Sequence, residues 1–358
     1  MGPKGLRHIS TGSSRLAVNF PNPDRPRRRR RFRGIAVTAT GVMLVAGITA
    51  VPALSAQAAT PSSRLVTATQ SQSQSPHHDS HKYGLGWQRS RTLTVWAGNN
   101  PDGSQDNYKF STHRLRAGLV KLDLRNIGTF PHQAQLFKLH KGVTAASYLA
   151  SLKATGGATA LALADATGGA NTVDPGNHQI TWINLRAGNY VVVCFQQGGD
   201  NGAPHFADGM YASLTVFGHG NQAKPPGQVQ GTIAAYTQEA TSSGPMVMGF
   251  HMPKVIDDDG LYMFKNTAAA DTHELAFLKL APGMTAKDVV AFFNPGWVGA
   301  PPFIGDFGGA GALAPGGHSW LRMNLKPGQY VAVCFVPDDM APHMPHVAMG
   351  MAQQFTVS

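Results

Sequence analysis

Cysteine is scarce: the 358 residues contain two. A scaffold built on disulfides is therefore set aside. Charge is sparse as well, with Asp, Glu, Lys and Arg at 14% and aromatics at 8%. Helix-like periodicity is rare, and glycine and proline are abundant, at 41 and 24. Short strands joined by turns, an all-β chain, fit that composition best. The length suffices for two domains of ordinary size.

The net charge of +11 invites a nucleic-acid partner, but its distribution does not support one. Residues 1–58 hold ten Lys and Arg against the single acid Asp24, and the rest of the chain is nearly balanced. The basicity belongs to a leader, and no nucleic-acid partner is expected. That leader has a basic block at residues 27–33, an apolar stretch at 35–54 and Ala56-Gln57-Ala58 as a small-residue cleavage site. This is the layout of an export signal, and a secreted or cell-envelope protein is expected. Arg29-Arg30-Arg31-Phe32 also looks loosely like a twin-arginine signal. An uncleaved leader is long enough to anchor the chain in a membrane. Residues 59–89 read as a disordered linker rich in Ser and Gln, whose His77, His78 and His81 read as part of a solvated tail.

From residue 90 onward the sequence occurs twice. Phe110 and Asn126 match Phe250 and Asn266, His132 matches His273, and Thr144 matches Thr285, where a short helix should begin in each copy. Asn184, Gly188, Tyr190 and Cys194 match Asn324, Gly328, Tyr330 and Cys334. His205 and Met210 match His346 and Met351, with one residue more in the second loop. A repeat this long is a duplicated domain rather than a solenoid unit. The expected units are 90–218 and 231–358, joined by a Pro/Gly linker at 219–230. Both cysteines end a β-branched strand at equivalent positions, which argues for free thiols that ligate metal or pack, and against a bridge between them.

Each copy carries an upstream His, then Cys, His and Met in its last loop. Thiolate, imidazole and thioether together suit copper. The pattern Asn-x-Gly-x-x-Pro-His before a strand, as in RNIGTFPH, with Cys, His and Met in the last loop, resembles the cupredoxins, the plastocyanin and azurin family. The resemblance spans most of both copies. It implies two tandem Greek-key β-sandwiches, each with one short helix and a copper site at one end. It implies His132, Cys194, His205 and Met210 as the first ligand set, and His273, Cys334, His346 and Met351 as the second. Two imidazoles and the thiolate would form a plane, with the Met sulfur at long axial distance. The chain departs from small electron carriers in its loop: ten residues separate Cys194 from His205, and eleven separate Cys334 from His346. In the second loop His343 competes with His346, and Met349 with Met351. Alignment of the repeats selects the later pair.

Reductases and oxidases of this resemblance wire a second copper centre through a His beside the Cys. Here the neighbours are Val193 and Phe195, and Val333 and Phe335. His-x-His pairs for a trinuclear cluster are also missing. The sequence reading is therefore of a protein that is not an enzyme. It transfers electrons to or from a redox or copper-transfer partner that the sequence does not name. Two alternatives stand beside it. One is copper handling by the loop bearing Met340, His343, Met344, His346, Met349 and Met351. The other is a metal-free binding scaffold.

Overall fold

The computed structural model describes residues 91–99, 106–155, 160–197, 203–220, 224–239, 246–305, 307–338 and 344–358. The leader and the Ser/Gln-rich linker expected at 1–89 lie outside the described residues, as do Met340 and His343.

Half 1 contains β1 (Arg91–Asn99), β2 (Asp106–Phe110), β3 (Arg114–Arg116), β4 (Gly118–Asn126), β5 (His132–Leu139), α1 (Ala145–Thr155), β6 (Ala164–Val173), β7 (His178–Leu185), β8 (Gly188–Val193) and β9 (Tyr211–Phe217). Half 2 contains β10 (Gly231–Glu239), β11 (Met246–His251), β12 (Val255–Ile256), β13 (Leu261–Asn266), β14 (His273–Lys279), α2 (Ala286–Phe292), β15 (Gly308–Leu313), β16 (His318–Arg322), β17 (Gly328–Val333) and β18 (Ala352–Val357). The chain is all-β apart from one short helix in each half, as the sequence predicts. Thr144 caps α1 by accepting from the Ser147 N–H at 3.1 Å. At α2, Asp288 accepts from the Thr285 N–H at 2.8 Å. These contacts satisfy backbone donors that a helix start leaves open.

The halves are not separate beads. One sheet runs β11-β10-β13-β16-β7-β4-β1-β2, and the other runs β12-β18-β17-β14-β15-β6-β5-β8-β9-β3. Each order reads the same from either end once repeat-equivalent strands are matched. At the seam Ala310 pairs with Ala170, and Leu321 with Thr181, each residue opposite its own repeat equivalent. A pseudo-twofold axis passes through these pairs. Side chains of both halves stitch the seam: Asn324 of half 2 donates to the His178 carbonyl at 2.9 Å. Gln135 donates to the Ala312 carbonyl at 3.1 Å, and Gln179 donates to the Arg322 carbonyl at 2.8 Å.

The period of two along each strand decides what faces inward. In β8, Tyr190 and Val192 enter the core between the sheets, while Val191 and Val193 pack under α1. Both faces are covered, which is why the run is continuously apolar. Cys194 continues the inward set. In β5, Ala134 and Leu136 face the same core, and His132 begins that row. Half 2 repeats this with Tyr330, Ala332 and Cys334, and with Leu275 and Phe277 behind His273. The fold thus brings the end of two inward rows together at one end of each sandwich.

Candidate metal centres

Local devices fix each donor. Asn126, at the end of β4, donates from its amide to the carbonyls of Phe130 (2.7 Å) and Val173 (2.8 Å) and accepts from the Gly128 N–H (2.9 Å). It thereby clamps the loop that delivers His132. Asn266 does the same for His273, donating to Asp271 (2.7 Å) and Leu313 (2.9 Å) and accepting from Ala268 (3.0 Å). The Tyr190 hydroxyl donates to the Arg186 carbonyl at 2.7 Å, and the Tyr330 hydroxyl to the Lys326 carbonyl at 2.8 Å. These are tyrosine corners, and they pin the turn that launches each cysteine strand.

After the cysteine, the last loop folds back on the strand. The His205 N–H donates to the Gln196 carbonyl at 2.8 Å, and the His346 N–H to the Val336 carbonyl at 3.0 Å. A tight turn then returns the chain, so that the Met210 N–H reaches the His205 carbonyl at 2.9 Å and the Met351 N–H reaches that of His346 at 3.0 Å. The turn needs Gly209 at φ 110° and Gly350 at φ 98°, backbone that side chains disfavour.

The donors converge. In half 1 the two Nδ1 atoms of His132 and His205 lie 3.1 Å apart, with Cys194 Sγ at 3.9 and 3.5 Å from them. In half 2 the Nδ1 atoms of His273 and His346 lie 3.1 Å apart, with Cys334 Sγ at 3.8 and 3.4 Å. All six side chains are buried. In the plane of each triangle one point stands about 2 Å from all three atoms, the spacing at which nitrogen and thiolate ligands bind a first-row metal. Two imidazoles and a thiolate are the donors copper takes in this geometry, and the residues present fit copper at both sites. Met210 and Met351 are fully buried in the two cores. The Met210 carbonyl accepts from the Cys194 N–H at 3.2 Å, which places that methionine's backbone beside the thiol. The competing Met349 is 41% exposed.

Each half is cupredoxin-like. No protein-family model matches the chain, and no curated protein does. Solved structures do match. Reduced auracyanin from Roseiflexus castenholzii is 22% identical over 37% of this chain and 99% of that one, with a TM-score of 0.22. A blue copper oxidase from Nitrosomonas europaea is 13% identical over 75% of this chain and 86% of that one, with a TM-score of 0.21. The copper nitrite reductase of Thermus scotoductus is 13% identical over 75% of this chain and 61% of that one, with a TM-score of 0.20. The cupredoxin-like assignment stands on the strand order and the two donor triangles. One expectation is corrected by these matches. The sequence reading excluded an enzyme, yet an oxidase and a reductase match three quarters of the chain, and the exclusion is withdrawn. It relied on ligand spacing along one chain, whereas a reacting centre can be assembled from residues far apart in sequence.

Several residues around the cupredoxin-like centres escaped the sequence reading. The position after the upstream His is Gln133 in half 1 and Glu274 in half 2. The backbone N–H of each donates to the cysteine sulfur, at 3.5 and 3.4 Å. Thr237 Oγ1 lies 2.8 Å from His273 Nε2 and orients that ring from behind. The signal for Glu274 was available, since the repeats align a carboxylic acid with an amide beside a ligand.

The electrostatics of the two sites diverge. Burial works against a Cys194 thiolate, but hydrogen bonds with His132 and His205 outweigh it and bring the thiol down to about 6. Burial pushes the Cys334 thiol far up, and the Glu274 carboxylate pushes the same way. Burial raises Glu274 itself to about 7, against the hydrogen bonds from Phe335 and Asn171 that favour its charged form. Burial, with the charge of His346 beside it, lowers His273 to about 4, so that this ring is neutral over the physiological range.

Proposed function

We propose that this is an exported electron-transfer protein with one type 1-like copper in each half. The ligands would be His132, Cys194, His205 and Met210 in half 1, and His273, Cys334, His346 and Met351 in half 2. The observation that carries this reading is the donor triangle, built twice from buried groups at spacings that already match a bound metal. Copper held by these residues would supply a one-electron couple. The chain's contribution is to hold the donors still. The asparagine clamps, the tyrosine corners and the glycine turns fix the ligand backbone whichever oxidation state is present. Cys194 and Cys334 are fully buried in the two inter-sheet cores, which keeps water from the sulfur. The turn between the His and the Met is exposed at Gly209 in half 1 and at Gly350 in half 2. A redox partner could therefore approach the ligand loop without opening the core.

A second reading has its own observation. Met344 and Met349 are 40% and 41% exposed beside the ligand loop of half 2, and exposed thioethers favour Cu(I). Copper capture at that loop would deliver the ion to the buried site. Export rests on the leader at residues 1–58. Among the described residues no helix is long and apolar enough to cross a membrane.

The test is to load the full chain with Cu(II) and record copper stoichiometry and the visible spectrum. The expected result is two coppers per chain and an intense thiolate-to-copper band, half of it lost in Cys194→Ala and half in Cys334→Ala. A protein that binds Cu(I) stoichiometrically without colour would favour capture. No copper in either oxidation state would overturn both readings.

A further inference from the structure

The two triangles are alike, but the groups behind them are not. Gln133 is held within its own half, where its side-chain oxygen accepts from the Gln196 amide at 3.0 Å. Glu274 is buried, and its two oxygens are held from two directions. One accepts from the N–H of Phe335, the residue after Cys334, at 3.0 Å. The other accepts from the Asn171 amide at 3.2 Å, across the seam from half 1.

The orientation of Asn171 is fixed by its own network. Its oxygen accepts from the Thr172 N–H at 2.7 Å, and its nitrogen faces the carbonyls of Leu275 (3.2 Å) and Ala310 (3.4 Å) as well as Glu274. An amide nitrogen only donates, so Glu274 meets a donor at each oxygen. Burial opposes the charge, but with an N–H donor at each oxygen the arrangement suits a carboxylate rather than an acid. At the repeat equivalent of Asn171 stands Gly311, which offers no side chain. Site 2 is thus completed by a residue of the other half, whereas Gln133 of site 1 is tied by a residue of its own half.

A buried negative charge one residue from two ligands stabilises the more positive metal state, because little solvent screens it. Resting on the copper reading above, we propose that Glu274, anchored by Asn171 across the seam, is a positioning residue that makes the copper of half 2 the harder one to reduce. A single electron entering the protein then resides in half 1.

The test uses the full chain in two single-site forms, Cys334→Ser to keep site 1 and Cys194→Ser to keep site 2. Each is loaded with Cu(II) and titrated by mediated spectroelectrochemistry. Site 2 should show the lower potential. Glu274→Gln should raise it toward that of site 1, and Gln133→Glu in the other form should lower site 1. Asn171→Ala should move the potential of site 2 and leave that of site 1 in place, although the residue belongs to half 1. In the unmodified chain, substoichiometric ascorbate should bleach the site 1 component first. Equal potentials in the two forms, or Glu274→Gln leaving site 2 unmoved, would overturn the proposal. If Glu274→Gln does not fold, the Gln133→Glu result decides in its place, and no downward shift overturns it. Failure of the copper reading is recognised separately, since neither single-site form would then take up copper or colour.

Discussion

Half 1 and half 2 place their three donor atoms at spacings that agree to 0.1 Å, yet their thiols are pushed in opposite directions. The contrast separates two levels of construction. Donor geometry is set by backbone devices that the duplication preserved: the asparagine clamp, the tyrosine corner and the glycine turn. The push on each thiol differs: in half 1 hydrogen bonds with His132 and His205 outweigh burial, and in half 2 burial and the Glu274 carboxylate act together. A carboxylic acid stands in half 2 where half 1 has an amide.

The largest expected consequence is in how copper uptake depends on pH. A bound thiolate must have lost its proton, so a metal displaces that proton wherever the thiol is still intact. Cys334 is protonated at neutral pH, and Glu274 releases its own proton near 7, so both sharpen the dependence in the same sense. Copper affinity of the Cys194→Ser form should rise by at least about tenfold per pH unit between 6 and 8, roughly a hundredfold in all. Cys194 is already largely thiolate above 6, and the Cys334→Ser form should be much flatter over that range. Competition titrations against a chelator at three pH values measure both slopes. Equal slopes would break the comparison between the sites.

Next come the asparagine clamps, where the halves should behave alike. Asn126→Ala and Asn266→Ala each strip a buried group that serves two carbonyls and one N–H. Leaving such groups unpaired costs about 2–3 kcal/mol. Each variant should lose that much in denaturant unfolding of the metal-free protein. A loss confined to one half would show that the clamps are not equivalent and that the repeats differ in backbone as well as in charge.

The sequence carried the donors plainly and the seam poorly, for physical reasons. Four ligand types recurring in order are legible because chemistry restricts which residues can bind a metal. The inward position of Cys194 follows from a period of two that Tyr190 and Val192 already declare. Thr144 and Thr285 announce their helices by capping. By contrast Gln135, Asn171 and Gln179 read as polar strand residues of the kind that face water. In the structure they are buried, bonding to half 2. Whether a polar residue in a strand meets solvent or another strand depends on what lies beside the sheet. Local pattern does not contain that, so the joining of the two sandwiches edge to edge, with both sheets running through both halves, was not legible in the sequence. The same limit applies to Glu274, whose neighbour Asn171 lies about a hundred residues earlier in the chain.

The glycine turns give a smaller effect and another symmetric test. A Cβ at Gly209 or Gly350 would meet no atom within 4 Å, so the cost of Gly209→Ala or Gly350→Ala is backbone strain alone. About 1–2 kcal/mol is expected for each. The strain falls on the turn that carries both His and Met, so the visible band should shift in energy while copper stoichiometry stays at its starting value. A change in stability with an unmoved spectrum would detach the turn from the site.

The smallest effect tests whether the corners are as equivalent as they look. Tyr190→Phe and Tyr330→Phe remove one hydroxyl each and keep the buried ring. What is lost is one hydrogen bond to the carbonyl four residues upstream, at 2.7 Å in half 1 and 2.8 Å in half 2. A net loss of about 1 kcal/mol is expected from each. The two corners are far enough apart to act independently, so the double variant should lose the sum. Half 2 carries an added constraint, since Lys279 Nζ sits 5.3 Å from the Tyr330 ring centre and steadies that ring from above. If Tyr330→Phe costs clearly less than Tyr190→Phe, that cation accounts for the difference, and Lys279→Met should restore equality between the halves.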